Sequence, residues 1–353
     1  MGQPLQWGTM QIGTFARGAF AAFLALTSLA GGAGAAHAQT ANGIALEAQF
    51  DTAFGTEVRA PRDYTASYEG VLQQQLARLA DGSRGRIGLF AIDLATGQEV
   101  AVLGDQRFPM ASTSKIAIAA TFMEGVERGR WSLSSDFPLL LPVASKPFSS
   151  QVAPVRAGEH LSARQLIELM ITRSSNTATD ALLRAVGGPD AVNAWMRRAG
   201  ITEFNLSRDI ATLVRDDGEV NPATSIDTRD SATPRAMVQL IAGLHQGKWL
   251  SNSSRQVILG AMERCRTGTR RIPALLPAGV TVAHKTGSLN NTSSDIGIMT
   301  GPDGRTIAVA IYVTGQGTRP AREAKIANLA RALYDGYAQQ AVVASRQMVN
   351  AQY

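Results

Sequence analysis

Residues 86–103 read RIGLFAIDLATGQEVAVL. Two apolar runs, 86–94 and 98–103, flank Ala95-Thr96-Gly97. Turn chemistry between two such runs predicts an antiparallel hairpin. Upstream, Val71, Leu72, Leu76 and Leu79 recur at helical spacing and predict a helix over 64–80, ending near Gly82. Strand signals return only far downstream, at 281–288, 295–300 and 306–314, with Gly301-Pro302-Asp303-Gly304 as the turn between the last two. An amphipathic helix over 320–341 closes the pattern. The intervening signals are helical, at 112–128, 162–172, 177–186, 189–198, 234–246 and 252–264, with long loops between them. Strands from both ends of the chain can share one sheet. The expected fold class is therefore α/β in the α+β sense: a five-stranded antiparallel sheet flanked by terminal helices, with an inserted all-α domain. The expected boundaries are 63–108 plus 264–345 for the α/β domain, 109–263 for the all-α domain and 346–353 for a tail. A crevice between the two layers is the expected place for ligand chemistry.

Composition narrows the function. Of 353 residues, 45% are hydrophobic and 18% charged, which supports a sizeable core and excludes global disorder. The net charge of +6 comes from scattered basic residues rather than one face, so no nucleic-acid partner is expected. A single cysteine, Cys265, excludes an intramolecular disulfide and a cysteine-built zinc site. It is expected to be a buried or inert thiol. The four histidines form no HExxH pair, and no metal or cofactor is expected.

Residues 1–38 carry one charge, Arg17, followed by an apolar run from Gly18 to Ala36 and a small-x-small end, Ala36-His37-Ala38. This reads as a secretory signal peptide rather than a membrane anchor, with Met10 an alternative start. Residues 39–62 read as an extension without clear period. A periplasmic or secreted location, no stable membrane span after cleavage, and a monomer are expected.

Three polar clusters carry the chemistry. Ser112-Thr113-Ser114-Lys115 puts a hydroxyl and an amine three residues apart, on one face if a helix starts there. A serine needs a base beside it to attack at neutral pH, and a lysine whose pKa is lowered by burial can serve. The same pattern also fits a capping serine with a solvated lysine. Ser174-Ser175-Asn176 could relay a proton and hold an amide, or could simply cap a helix. His284-Lys285-Thr286-Gly287-Ser288 ends a strand signal. Lysine and hydroxyl side by side suit a carboxylate, and Gly287 lets a ligand approach the backbone. An edge strand guarded by a lysine is the alternative.

In this order, SxxK, S-x-N and KTG resemble the signature of class A β-lactamases and penicillin-binding serine enzymes. The resemblance extends over about 64–340 and includes FPMASTSK (108–115), SSNTATD (174–180), RDSATP (229–234) and TGTRRIPALLPAGVTVAHKTGS (267–288). It implies Ser112 as acylated nucleophile, Lys115 as base or proton carrier, and Ser174 as proton donor to the leaving lactam nitrogen. It implies Asn176 for the substrate side-chain amide, and Lys285 and Thr286 for the β-lactam carboxylate. The backbone N–H groups of Ser112 and Ser288 would form the oxyanion hole. Arg271 stands where some members keep a carboxylate-supporting arginine, with a surface arginine as the alternative. The implied partner is a small β-lactam.

Two departures accompany the resemblance. Ser175 replaces the middle aspartate of S-D-N. In the omega loop, the family's R-x-E-x-x-L-N is matched by Arg215-Asp216-Asp217-Gly218-Glu219-Val220-Asn221. Arg215 is expected to pair with Asp230 across the loop neck, and Asn221 to hold the deacylating water. Asp217 stands in place of the water-activating glutamate, about 1 Å shorter, with Glu219 as rival. The implied activity is β-lactam hydrolysis through a Ser112 acyl-enzyme, with deacylation slowed. The alternatives are a D,D-peptidase-like acyltransferase that β-lactams acylate without turnover, and a non-catalytic sensor.

Overall fold

The computed structural model describes residues 58–59, 70–82 and 84–351. The expected signal peptide and, but for residues 58–59, the N-terminal extension lie outside the described residues. Five strands form one antiparallel sheet: β1 (Ile87–Asp93), β2 (Glu99–Val102), β3 (Thr281–Leu289), β4 (Thr292–Thr300) and β5 (Thr306–Thr314), in the order β3-β4-β5-β1-β2. β3 is an edge strand. The helices are α1 (Val71–Leu79), α2 (Lys115–Glu127), α3 (Ala163–Thr172), α4 (Asn176–Val186), α5 (Pro189–Arg198), α6 (Ile210–Arg215), α7 (Pro234–Gln246), α8 (Asn252–Glu263) and α9 (Arg319–Ala351).

β5 explains the layering. Its side chains alternate across the sheet, as a strand's must, and both faces are buried. Ile307, Val309, Ile311 and Val313 join Leu72 and Leu76 of α1 and Ile326, Leu329 and Leu333 of α9. Ala308, Ala310 and Tyr312 join the opposite core with Ile116, Phe122, Leu166, Leu182 and Leu240 of the helical layer. A strand covered on both faces reads as a continuous apolar run, and this one does. Helix α2 runs through that second core: its residues 116–120 and 122–123 are at most 1% exposed. A helix apolar all round has no solvent face to offer, so it must be central.

The sheet and its flanking terminal helices match the sequence expectation. The expected long first helix is described only from Val71, and the last helix continues through the expected tail to Ala351. The inserted block is mostly helical but not helical throughout. An antiparallel pair, Asp136–Pro142 with Val155–Ser162, stands before α3, and Ser231–Ala232 pairs with both Phe108–Pro109 and Phe204–Asn205. These strands are short or half exposed, so they lack the apolar alternation by which a strand is recognised. β4 starts earlier than expected because Thr292, Ser293 and Ser294 are polar yet buried, with the Arg322 guanidinium on Ser293 Oγ.

Truncation tests the two-faced core. Ile311→Ala in β5 should lower unfolding free energy by about 2–5 kcal/mol in urea titration, the range for a buried large-to-small change. An unchanged midpoint would contradict the packing described.

Candidate active site

The nucleophile candidate sits on a short 3-10 turn, Ala111–Ser114, that runs directly into α2. Ala111 has a left-handed φ of +49°. A non-glycine residue in that region is strained, and such strain gathers at functional sites. The turn is held from below, where Thr113 Oγ1 donates to the Met110 carbonyl at 2.7 Å and meets Tyr312 Oη at 3.0 Å. Gly287 of β3 lies against it: a Cβ there would come within 2.7 Å of the Met110 carbonyl oxygen. The absent side chain lets the edge strand abut the nucleophile turn.

Lys115 opens α2 and is fully buried. Its Nζ donates to Ser174 O at 2.8 Å, to Asn176 Oδ1 at 2.8 Å and to Ser174 Oγ at 3.3 Å. Ser174 has φ +59°, and Ser175 caps α4 by accepting from the Ala178 N–H. The capping role thus falls to Ser175, and the Ser174 hydroxyl is left facing the lysines. From the edge strand, Lys285, also fully buried, donates to the same Ser174 Oγ at 3.0 Å and to Thr286 O at 2.8 Å. Two ammonium-bearing chains therefore converge on one hydroxyl.

Burial, then the neighbouring Lys285, pushes the Lys115 pKa well below the usual lysine range, against the Asp180 carboxylate. Burial brings Lys285 down to about 8. The two short Lys115 contacts are to carbonyl oxygens, which only accept. In the neutral form two N–H bonds would meet both and leave one lone pair free. No hydrogen bond joins Lys115 Nζ to Ser112 Oγ.

Around Lys285 the site is braced. Thr286 Oγ1 meets Thr267 Oγ1 at 2.7 Å, and Thr267 Oγ1 also lies 3.3 Å from Cys265 Sγ. Cys265 is partly exposed, and its thiol pKa is lowered: burial opposes the shift most, but the hydrogen bond and charge of His284 and the hydrogen bonds with Thr267 together outweigh it. Arg271 is only 1% exposed, not a surface residue. Its Nη1 donates to the carbonyls of Gly287 and Ser294 at 2.8 and 2.7 Å, and its Nη2 to Ser288 Oγ at 2.7 Å and Glu323 Oε1 at 3.2 Å. All four terminal N–H bonds are used, so Arg271 braces β3 and Ser288 from within the protein.

The omega-loop residues lie elsewhere. Arg215 does not pair with Asp230. It pairs with Asp216 at 2.7 Å, and Asp230 is taken by Arg208 at 2.6 Å. Asp230 also accepts from the Ser207 and Arg208 N–H groups, so the closer side chain with a prepared anion site wins the neck. Asp217 is exposed and accepts from the Asn290 N–H at 2.7 Å. Its pKa is raised by partial burial. Glu219 pairs with Arg229, and Asn221 Oδ1 accepts from Asn291 Nδ2 at 3.0 Å. None of the three hydrogen-bonds Ser112, Lys115 or Ser174. The geometry thus brings together Lys115, Ser174, Asn176 and Lys285, with Ser112 one turn before Lys115 and Thr286 and Ser288 along β3. It holds Asp217 and Asn221 against the β3–β4 turn.

Sequence reasoning passed over Asp180. It is 3% exposed, burial raises its pKa to about 6, and it accepts from the Ile210 and Ala211 N–H groups at 2.7 and 2.9 Å. It lies four residues after Asn176 on α4, hence on the same face, which was the available signal.

A serine one turn before a buried amine, a second hydroxyl between two lysines, and a strand edge are parts that a serine acyl hydrolase would need. Known proteins agree. Residues 71–337 match the model of the β-lactamase enzyme family. β-Lactamase CTX-M-25 of Escherichia coli is 33% identical over 75% of this chain and 89% of its own. CTX-M-8 of Citrobacter amalonaticus is 32% identical over the same shares. Among solved structures, an ancestral class A β-lactamase has a TM-score of 0.65 at 35% identity, covering 75% of this chain and 99% of its own. A β-lactamase from Chitinophaga pinensis has a TM-score of 0.67 at 27% identity, covering 76% and 100%. The chain belongs to the class A serine β-lactamase family, and its activity is β-lactam hydrolysis.

The lysine pair predicts a pH profile. Lys285 must be charged to bind a carboxylate, so kcat/KM should fall as pH rises through about 8. Lys115 must be neutral to accept a proton, so an acidic limb should appear where it takes one up. A β-lactam esterified at its carboxylate should lose the alkaline limb. Persistence of that limb with the ester would remove Lys285 from carboxylate binding.

Proposed function

We propose that the hydrolysis runs through an acyl-enzyme on Ser112. Ser112 Oγ attacks the lactam carbonyl while the neutral Lys115 amine takes its proton. The N–H groups of Ser112 and Ser288 hold the developing oxyanion. The C–N bond then breaks, and Ser174, fed by Lys115, protonates the leaving nitrogen. Lys285 and Thr286 bind the carboxylate, and Asn176 the acyl side-chain amide. The observation that supports this most is the Ser174 hydroxyl held between Lys285 and Lys115, the lysine that follows Ser112 by one turn.

Water then cleaves the ester with Asp217 as base. Two features favour slow deacylation: the side chain is one methylene shorter than glutamate, and its oxygen is engaged by the Asn290 N–H. A misplacement of about 1 Å can cost on the order of 10²-fold. The mature chain acts outside the cytoplasm, after removal of residues 1–38; among the described residues no helix is long and apolar enough to cross a membrane.

A chromogenic cephalosporin followed by absorbance and intact mass tests the scheme. Steady turnover with a transient adduct on Ser112 is expected, and Ser112→Ala should show neither. A stoichiometric burst with a permanent adduct would instead indicate acylation without turnover. Asp217→Asn should keep the burst and lengthen the adduct lifetime about a hundredfold, the lower end of the range for loss of a general base. Asp217→Glu should shorten it. Wild-type lifetimes in Asp217→Asn would remove Asp217 as the base.

A further inference from the structure

Asp216 and Asp217 are adjacent carboxylates that the sequence does not tell apart, and the structure sends them in opposite directions. Asp217 reaches the β3–β4 turn at Asn290. Asp216, 7% exposed, turns to the segment between the paired strands Asp136–Pro142 and Val155–Ser162. There it accepts from the Phe148 N–H at 3.0 Å. Its two oxygens also take a bidentate pair of bonds from Arg215, at 2.7 and 2.9 Å. The same guanidinium donates to Ser150 Oγ and Ser150 O at 2.9 and 2.6 Å. One turn back on α6, Thr212 Oγ1 accepts from the Ala153 N–H at 2.8 Å. Three consecutive contacts therefore stitch 148–153 to the end of α6, immediately before Asp217.

We propose that Asp216, clamped by Arg215, is a positioning residue for deacylation: it fixes the backbone from which Asp217 extends. This rests on the reading of Asp217 as the water-activating base. The argument is one of reach. A short side chain compensates poorly for a drifting backbone, because it has one fewer rotatable bond with which to recover its aim. Asp217 hangs between two anchors: the clamp at 148–153 behind it and the Asn290 N–H ahead. The Asp216 carboxylate has no bond to Ser112, Lys115, Ser174 or Lys285, so it does not touch the reacting atoms. The Arg215 hydrogen bonds hold its carboxyl down to about 2, so the clamp is ionised wherever the enzyme would be assayed. The bidentate fork is also directional, and a planar guanidinium fixes both partners' orientation in a way a point charge does not.

The test separates acylation from deacylation by intact mass and stopped-flow absorbance with a chromogenic cephalosporin. Asp216→Asn keeps the shape but must present its NH2 group to Arg215 in either orientation, and in one of them to the Phe148 N–H as well. The adduct lifetime should lengthen about tenfold or more, a positional cost within the range for misplacement of about 1 Å. The burst amplitude should stay at one equivalent and the acylation rate within about twofold. Arg215→Lys, which keeps the charge but not the fork, should give an intermediate lifetime and replaces Asp216→Asn should that variant not fold. The double variant Asp216→Asn/Asp217→Asn should be no slower than Asp217→Asn alone. If burst amplitude and acylation fall together with deacylation, Asp216 is merely structural and the proposal is overturned. If Asp217→Asn slows deacylation while Asp216→Asn and Arg215→Lys do not, the proposal fails and the base assignment stands. If Asp217→Asn has no effect, both fall together.

Discussion

Two lysines without solvent exposure share one serine hydroxyl, and the rest of the site is built to tolerate that arrangement. Burial and like charge both disfavour two ammonium ions there. The fold answers with backbone and amide oxygens at 2.8 Å: Ser174 O and Asn176 Oδ1 for Lys115, Thr286 O for Lys285. It adds the nearby charges of Asp180 and Asp295 at a distance. Burial lowers the pKa of both lysines, and the neighbouring Lys285 lowers that of Lys115 further. The shift toward the neutral amine is thus a product of packing.

That packing requires three separate parts of the chain to meet. Lys115 comes from the first turn of the most buried helix, Ser174 from the turn into α4, and Lys285 from an edge strand. Each arrives through a local device. A left-handed Ala111 precedes the nucleophile turn, a left-handed Ser174 leaves Ser175 free to cap α4, and the bare backbone of Gly287 lets β3 close on residues 110–111. The edge position of β3 matters as much as its residues. A central strand would have both rows of backbone groups paired, whereas an edge strand can offer one row to a ligand.

What could be read in the sequence follows from how local the determinants are. The helices at 189–198 and 234–246 were legible to the residue because a proline opens each, an apolar period fills it, and Gly200 or Gly247 stands just past its end. The five strands were legible because β5 and β1 bury both faces. The pair Asp136–Pro142 and Val155–Ser162 was not, since half-exposed strands carry no apolar alternation. The motif residues were legible as types at fixed spacing. Their partners were not when the choice lay between chemically equal candidates. Nothing in the order of residues shows that Arg208 rather than Arg215 reaches Asp230, or that Asn221 turns to Asn291. Such choices are made by backbone N–H groups, which every residue possesses and no sequence pattern displays.

The residues proposed for acylation and those proposed for deacylation differ in how they are held. Lys115, Lys285 and Thr286 are buried, and their polar partners are inside the protein. Asp217, Glu219 and Asn221 are exposed, each bonded to a neighbour that is not the nucleophile. A buried constellation is organised before substrate arrives and loses little in reorganising. An exposed one must exchange a bond already made for the bond it needs. For Asp217 the bond in hand is a charge-assisted one to a backbone N–H, among the stronger kinds. On the proposed mechanism, Asp217 is therefore handicapped by exposure as well as by side-chain length, and restoring the methylene would correct only one of the two.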